Sequence, residues 1–247
     1  MQAPLDPRQE LVLANRILAR EDVLDVFGHV SVRSPDDPGR FLLSRAVSPE
    51  TVTLGDILEF TLDSNPVDAE APPSYSERVI HGELYRARPD VAAVCHFHAS
   101  SIMPFCITGQ PLVPVSHVGA TMGPVRRWSA QETFGDTNLL VATSEEGASL
   151  ARAMGSDWAV MMAHHGGVVA GRSLREAVFR TVQLCRNAET QLTAMRIGTL
   201  QELTPREIEL SGEFNLRPPI LERAWNHWVR RLGGAGSAER AMPSAAE

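Results

Sequence analysis

Residues 158–198 read "WAVMMAHHGGVVAGRSLREAVFRTVQLCRNAETQLTAMRIG", and no other stretch restricts the fold as much. "WAVMMAHH" is apolar without alternation, as expected of a strand buried on both faces. "GGVVAG" is a turn and a second apolar strand. Residues 173–198 then read as one long helix. Ser173 and Glu176 stand at capping-box spacing at its start, and Gly198 suits its end. A strand pair running into a long helix needs a sheet for the helix to lie on, which points to a layered α/β domain.

The rest of the chain fits such a domain. "LDPRQELVLANRILAREDVLDVFG" carries a helical apolar stripe of Leu11, Leu13, Ala14, Ile17, Leu18 and Val23. Asp6 is placed as its N-cap, Pro7 at its first position and Gly28 at its end. "HVSVRSP" alternates like a strand, "PDDPG" is a turn and "RFLLS" opens a second strand. "SPETVTLGDILEFTLDSNPVD" reads as a helical turn and a strand. "SYSERVIHGELYRARPD" is a helix stopped by Pro89, followed by the strand "VAAVCHFH". The Gly-, Pro- and Thr-rich stretch 108–138 reads as loop with short strands, and "SEEGASLARAMG", "TPREIEL" and "PPILERAWNHWVRRLGG" as helices. No linker divides the chain. The expectation is a single domain over residues 1–232, with a disordered Ala-, Gly- and Ser-rich tail over 233–247.

The 247 residues suffice for a substantial core, and the formal net charge of -7 argues against a nucleic-acid or anionic-membrane binder. The odd count of three cysteines, Cys95, Cys106 and Cys185, shows no CxxC spacing, so a reducing compartment is expected. The charged start "MQAPLDPRQE" is unlike a signal peptide, and no apolar run approaches the roughly 20 residues of a membrane span. A soluble, cytoplasmic protein follows.

The chemistry concentrates in "AVCHFHASS". On a strand, residues i and i+2 share a face, so His96 and His98 project side by side. They read either as two exposed polar residues or as two ligands of one metal ion. "MMAHHGG" places His164 and His165 where an apolar strand ends in glycines, and either fits a third ligand. Glu77, in the first turn of the helix before the His96 strand, has two readings as well. Ser74-Tyr75-Ser76-Glu77 matches a capping box, and the same carboxylate is free to serve a site. His29 reads as a loop residue or a site group. His81 and His227 lie on helical stretches and read as surface or packing residues.

Taken in order, "GHVSVR" (28–33), "LLSRAVSPETVTLGDIL" (42–58), "SERVIHGELYRARPDVAAVCHFHASS" (76–101) and "MMAHHGGVVAGRSLREAV" (161–178) resemble the class II aldolase/adducin family, over about residues 8–200. The resemblance implies a three-layer α/β/α sandwich with a central, mainly antiparallel sheet. It also implies a homotetramer with sites near subunit interfaces, and one divalent metal per subunit. Carried over by motif, the ligands are His96, His98 and His165, with Glu77 as acid/base or extra ligand. His164 fills the slot before the ligand histidine.

The phosphate-binding pattern of the family's sugar-phosphate aldolases is altered: His29 follows Gly28 where they carry asparagine, and Tyr75 interrupts their serine pair before the glutamate. The wording is closer to the branch that decarboxylates hydroxylated aromatic dicarboxylates. The expectation is therefore a metal-dependent, non-oxidative decarboxylase of aromatic catabolism with a small aromatic acid as substrate. Manganese or zinc is favoured as the metal, with iron and cobalt also compatible. Glu77, His29 and His117 are the candidate proton donors, His117 by way of a neighbouring subunit. Arg45, assisted by Ser44, is the candidate grip for a second carboxylate, and Arg126 and Arg127 read as a solvated pair. The alternatives are a sugar-phosphate aldolase or epimerase, an iron-dependent oxidative decarboxylase and, least favoured, a non-catalytic adducin-like domain.

Overall fold

Asp6 caps the first helix as its sequence requires. Its carboxylate accepts from the Arg8 amide at 2.7 Å, Gln9 reaches back to the Asp6 amide at 3.3 Å, and Pro7 opens α1 (Pro7–Arg20). The structure, a computed structural model, describes residues 6–233. The expected disordered tail, beyond Gly233 itself, lies outside the described residues.

After α1 come β1 (His29–Arg33), β2 (Arg40–Ser44), β3 (Ile57–Thr61), α2 (Val79–Ala87), β4 (Ala93–Phe97), α3 (Met103–Thr108), β5 (Val125–Trp128), α4 (Ala130–Phe134), α5 (Ser144–Met154), β6 (Ala159–Met162), β7 (Gly166–Gly171), α6 (Leu174–Ile197), α7 (Pro205–Asn215) and α8 (Pro218–Leu232). The strands form one seven-stranded sheet in the order β3-β2-β1-β4-β7-β6-β5. Every neighbouring pair is antiparallel except β5–β6, which is parallel, so the sheet is mixed rather than uniformly antiparallel.

Two cores lie on opposite faces of this sheet. One gathers Val30, Cys95, Phe97 and Val169 against Leu11, Ile17 and Leu18 of α1, Val178 and Val182 of α6, and Trp225 of α8. The other gathers Phe41, Leu43, Val94 and Val168 against Ile80 and Leu84 of α2 and Leu150 and Met154 of α5. Each fully buried aliphatic or Phe side chain contributes about 1.5–3 kcal/mol of transfer free energy. Strand alternation divides the residues between the faces. Val30 faces α1 and α6, so His29 and Ser31 face α2; Cys95 and Phe97 face α1 and α6, so Val94 and His96 face α2. In the β1–β4 register His29 stands directly opposite His96.

Several expectations need correction. Helix α1 ends at Arg20 rather than running to Gly28. Asp22 adopts φ 56°, and the amides of Val23 and Leu24 fold back onto the Leu18 carbonyl. Val23 and Leu24 still reach the core, which is why the apolar pattern continued past the helix. The Ser74–Glu77 capping box does not form: residues 76–78 make one tight 3-10 turn whose cap position, Tyr75, makes no side-chain bond to the turn's own amides. At α6, Ser173 accepts from the Glu176 amide at 3.1 Å, but Glu176 turns instead to the buried Arg180 guanidinium at 2.8 Å. The stretch 108–138 holds a short strand as expected, β5, which pairs with β6, and in addition the helix α4. All three cysteines are free and buried, and no described helix is long and apolar enough to cross a membrane.

Candidate metal centre

Three backbone features bring Glu77, His96, His98 and His165 together. Strand β4 presents His96 on the α2 face, and His98 follows just past the strand end. The β6–β7 turn carries His164 and His165. His164 sits at φ 59° with its side chain exposed, and this reversal leaves the next residue, His165, facing the cluster. Gly166 then passes so close to β4 that a Cβ there would lie 2.4 Å from the Phe97 carbonyl and 2.8 Å from the His98 ring, so only glycine fits. The 3-10 turn before α2 delivers Glu77, 7% exposed, and its Oε1 accepts the Val141 amide at 3.0 Å.

One potential ligand atom from each of the four residues lies within 4.8 Å of the others. His96 Nε2 is 3.4 Å from Glu77 Oε2, and His165 Nε2 is 3.5 Å from Glu77 Oε1. The His98 and His165 rings are stacked at 5.2 Å, with His96 edge-on to both. The outer nitrogens settle two tautomers. His96 Nδ1 is 3.2 Å from the Gly167 carbonyl, and His98 Nδ1 is 3.2 Å from the Asp25 carboxylate. Neither acceptor has a hydrogen to give, so each ring donates from Nδ1, and each Nε2 keeps its lone pair. Those two Nε2 atoms face each other at 3.0 Å. Two lone pairs at that distance repel unless a cation lies against them. Oriented imidazoles with a carboxylate beside them match what a divalent transition metal takes, with acceptors holding the far nitrogens in the usual manner.

Burial pushes the Glu77 carboxyl up, but its contacts with the His165 and His96 rings outweigh it and hold the group well below the usual carboxylate range. Burial lowers His96 to about 4, although Glu77 opposes the shift. Burial raises Asp25, but its hydrogen bonds with His98, Gly28 and Phe27 hold it below its ordinary value.

His29 lies next to the cluster, its ring 5.2 Å from His96 and 4.4 Å from Tyr75. Of the surface and packing readings of His81 the second holds: the ring is 0% exposed, and it also bonds to His29 at 2.7 Å. Burial, with His96 adding to it, lowers His81 to about 3. In the unfolded chain this ring takes a proton near pH 6.5, while the folded protein keeps it neutral down to about 3. Stability is therefore expected to fall as pH drops below 6.5, by at most about 1.4 kcal/mol per pH unit from this group. Urea unfolding between pH 7 and 4 measures the slope; an acid limb no flatter in His81→Gln would rule this origin out.

The remaining expected residues are scattered. Ser44 is buried, faces the Tyr75 phenol and has no other partner among the described residues. Arg45 is not a free cation: its Nε is held at 2.6 Å by Asp56. His117 sits away from the cluster, its carbonyl accepting from Asn215 and its ring against Phe214 of α7. Arg126 and Arg127 are exposed and paired with Asp157 and Glu132, as a solvated pair should be. Sequence reasoning missed His81, Tyr75 and Asp25. The available signals were that His81 follows Glu77 by four residues, hence on one helix face, and that Asp25 stands in the loop entering β1.

Comparison with known proteins bears on the family and the fold. The decarboxylase tropJ of Talaromyces stipitatus is 30% identical over 93% of this chain and 95% of its own. The 3,4-dihydroxyphthalate decarboxylase of Arthrobacter keyseri is 30% identical over 92% of this chain and 94% of its own. An aldolase II superfamily protein from Pseudomonas syringae shares the fold, with a TM-score of 0.77 at 23% identity, covering 94% of this chain and 93% of its own. The family model for the class II aldolase and adducin N-terminal domain matches residues 9–192. That span takes in all seven strands and the four converging side chains, and the chain belongs to this family.

Proposed function

We propose that this chain, an enzyme of the lyase class, is a metal-dependent, non-oxidative decarboxylase of a hydroxylated aromatic dicarboxylate of the benzene or pyridine series, serving aromatic-compound catabolism in the cytoplasm. The observation that carries the reading is the pair of inward lone pairs on His96 and His98 beside an ionised Glu77. Both relatives are named decarboxylases, and the dihydroxyphthalate in the name of the second favours an aromatic acid over a sugar phosphate. So do the surroundings of the cluster: among the described residues the side chains outside it that meet its histidines by hydrogen bond or ring contact are His29 and Asp25, with Tyr75 behind His29, and none of them is an arginine suited to a phosphate.

In this proposal His96, His98 and His165 hold the metal, with manganese or zinc favoured. When bound, a divalent ion there supplies positive charge to stabilise an anionic oxygen of the substrate. Glu77 moves the proton. It takes the proton of the ring hydroxyl adjacent to the reacting carboxylate. The bond from ring carbon to carboxylate then breaks, its electron pair stays on the ring, and CO₂ departs. Glu77 returns the proton to that carbon, and the product leaves as a phenolate that takes a proton from water. Atoms and charge balance without an oxidant. Arg45 and Ser44, at the end of β2, take the second carboxylate. Since Arg45 Nε is held by Asp56, only its terminal nitrogens remain for that grip. His117 belongs to the proposal through a homotetramer, in which it serves a neighbouring subunit's site.

Metal-reconstituted protein, assayed without oxygen on hydroxylated phthalates, pyridine dicarboxylates and sugar phosphates, is expected to release CO₂ from an aromatic dicarboxylate. Cleavage of a sugar phosphate with no CO₂ from any aromatic acid would overturn the assignment in favour of an aldolase. CO₂ release only when O₂ is supplied and consumed would overturn it in favour of an oxidative enzyme.

A further inference from the structure

Four buried side chains beside the metal centre take no part in the mechanism above as a group. His29 and Ser31 lie two apart on β1, and His81 and Tyr85 lie four apart on α2, so one face of a strand meets one face of a helix. They form a continuous chain. His29 Nδ1 is 2.7 Å from His81 Nε2, His81 Nδ1 is 2.6 Å from Ser31 Oγ, and Ser31 Oγ is 2.8 Å from the Tyr85 hydroxyl. None of the four is more than 1% exposed.

The far end sets the direction of this chain. The Tyr85 hydroxyl meets Ser31 Oγ and the backbone of Val94, which favours the phenolate form as an N–H donor does. Ser31 is therefore the acceptor available for the tyrosine proton, and a buried O–H left without an acceptor costs about 1–3 kcal/mol. With Tyr85 donating, Ser31 must donate to His81 Nδ1, and His81 must donate from Nε2 to His29 Nδ1. His29 then carries its own hydrogen on Nε2. That atom has no hydrogen-bond partner among the described residues, on a ring packed against His96 and Tyr75.

The chain is suited to orientation and not to proton supply. Passing a proton outward through His29 would leave a tyrosinate at its buried end, and burial makes that phenol harder to ionise than usual. We infer that His29 Nε2–H is a fixed hydrogen-bond donor for a carboxylate or phenolate oxygen of the substrate, and that His81, Ser31 and Tyr85 are positioning residues that lock its tautomer. The nature of the anion rests on the decarboxylase reading, whereas the tautomer does not.

Nitrogen NMR on zinc-loaded, ¹⁵N-histidine-labelled protein separates the two, with His29 assigned by its loss in His29→Gln. In the wild type, His29 is expected to show a pyrrole-type Nε2 and a pyridine-type Nδ1. In Tyr85→Phe and in Ser31→Ala the signals are expected to move towards a mixture of tautomers while the far-ultraviolet circular dichroism stays the same. Phthalate is expected to shift the His29 Nε2 signal in the wild type, and to bind about tenfold more weakly in His29→Phe than in His29→Gln, which keeps a donor. A wild-type His29 protonated on Nδ1, or tautomers unchanged in both Tyr85→Phe and Ser31→Ala, would overturn the inference. A response to inorganic phosphate but not to phthalate would overturn the assignment of the anion. Absence of CO₂ release in the assay above, with the tautomer as expected, would remove the decarboxylase reading and leave the donor in place.

Discussion

His96→Ala is expected to lose bound metal and to reduce kcat by at least about a thousandfold, equivalent to about 4 kcal/mol of transition-state stabilisation. His96 has the most constrained geometry of the three histidines. It is fully buried, its Nδ1 is tied to the Gly167 carbonyl, and its Nε2 faces both His98 Nε2 and Glu77 Oε2. Alanine removes one imidazole and leaves a void between β1 and β7, so some loss of thermal stability should accompany the loss of metal. His98→Ala separates the two effects, because the His98 side chain is 17% exposed and leaves a smaller buried void. Both variants should lose metal, measured by elemental analysis after dialysis, while only His96→Ala should be markedly less heat-stable. Full metal content in His96→Ala would refute the proposed ligand set.

Glu77→Gln is expected to lower kcat by about a hundred- to ten-thousandfold, the range for removing a positioned acid/base group, while most of the metal is retained. Glutamine keeps an oxygen to accept the Val141 amide, so the turn before α2 should hold and stability should change little. The substitution removes only the negative charge and the ability to carry a proton. A variant that stays active and merely melts earlier would assign Glu77 to structure alone. The uncapped 3-10 turn at residues 76–78 already argues against the capping role that its spacing from Ser74 suggested.

Much of this was legible in the sequence because it depends on residues close together in the chain. The caps of α1 and α6, the buried strands β6 and β7 and the shared face of His96 and His98 follow from periods of two and of about 3.6 residues. His165, and not His164, as the inward histidine came from motif resemblance, and the φ of 59° at His164 is the physical reason it holds. Other features depended on partners far away in sequence. The parallel pairing of β5 was hidden because its neighbour β6 lies beyond α5. His81 looked like an ordinary helix residue until β1 placed His29 and Ser31 against it. Arg45 looked like an uncommitted cation until the turn before β3 brought Asp56 to its Nε.

Residue types and local periods therefore determined by themselves that this chain makes an α/β domain and that imidazoles and a carboxylate are its chemical groups. Only the tertiary structure decided which nitrogen of each ring is available and which carboxylate is engaged. The physical reason is that a histidine tautomer is set by the acceptor its other nitrogen meets, and these acceptors come from distant segments. Gly167 of β7 serves His96 of β4, and Asp25, ahead of β1, serves His98. A lone pair points inward at the cluster because of what holds the far side of its ring.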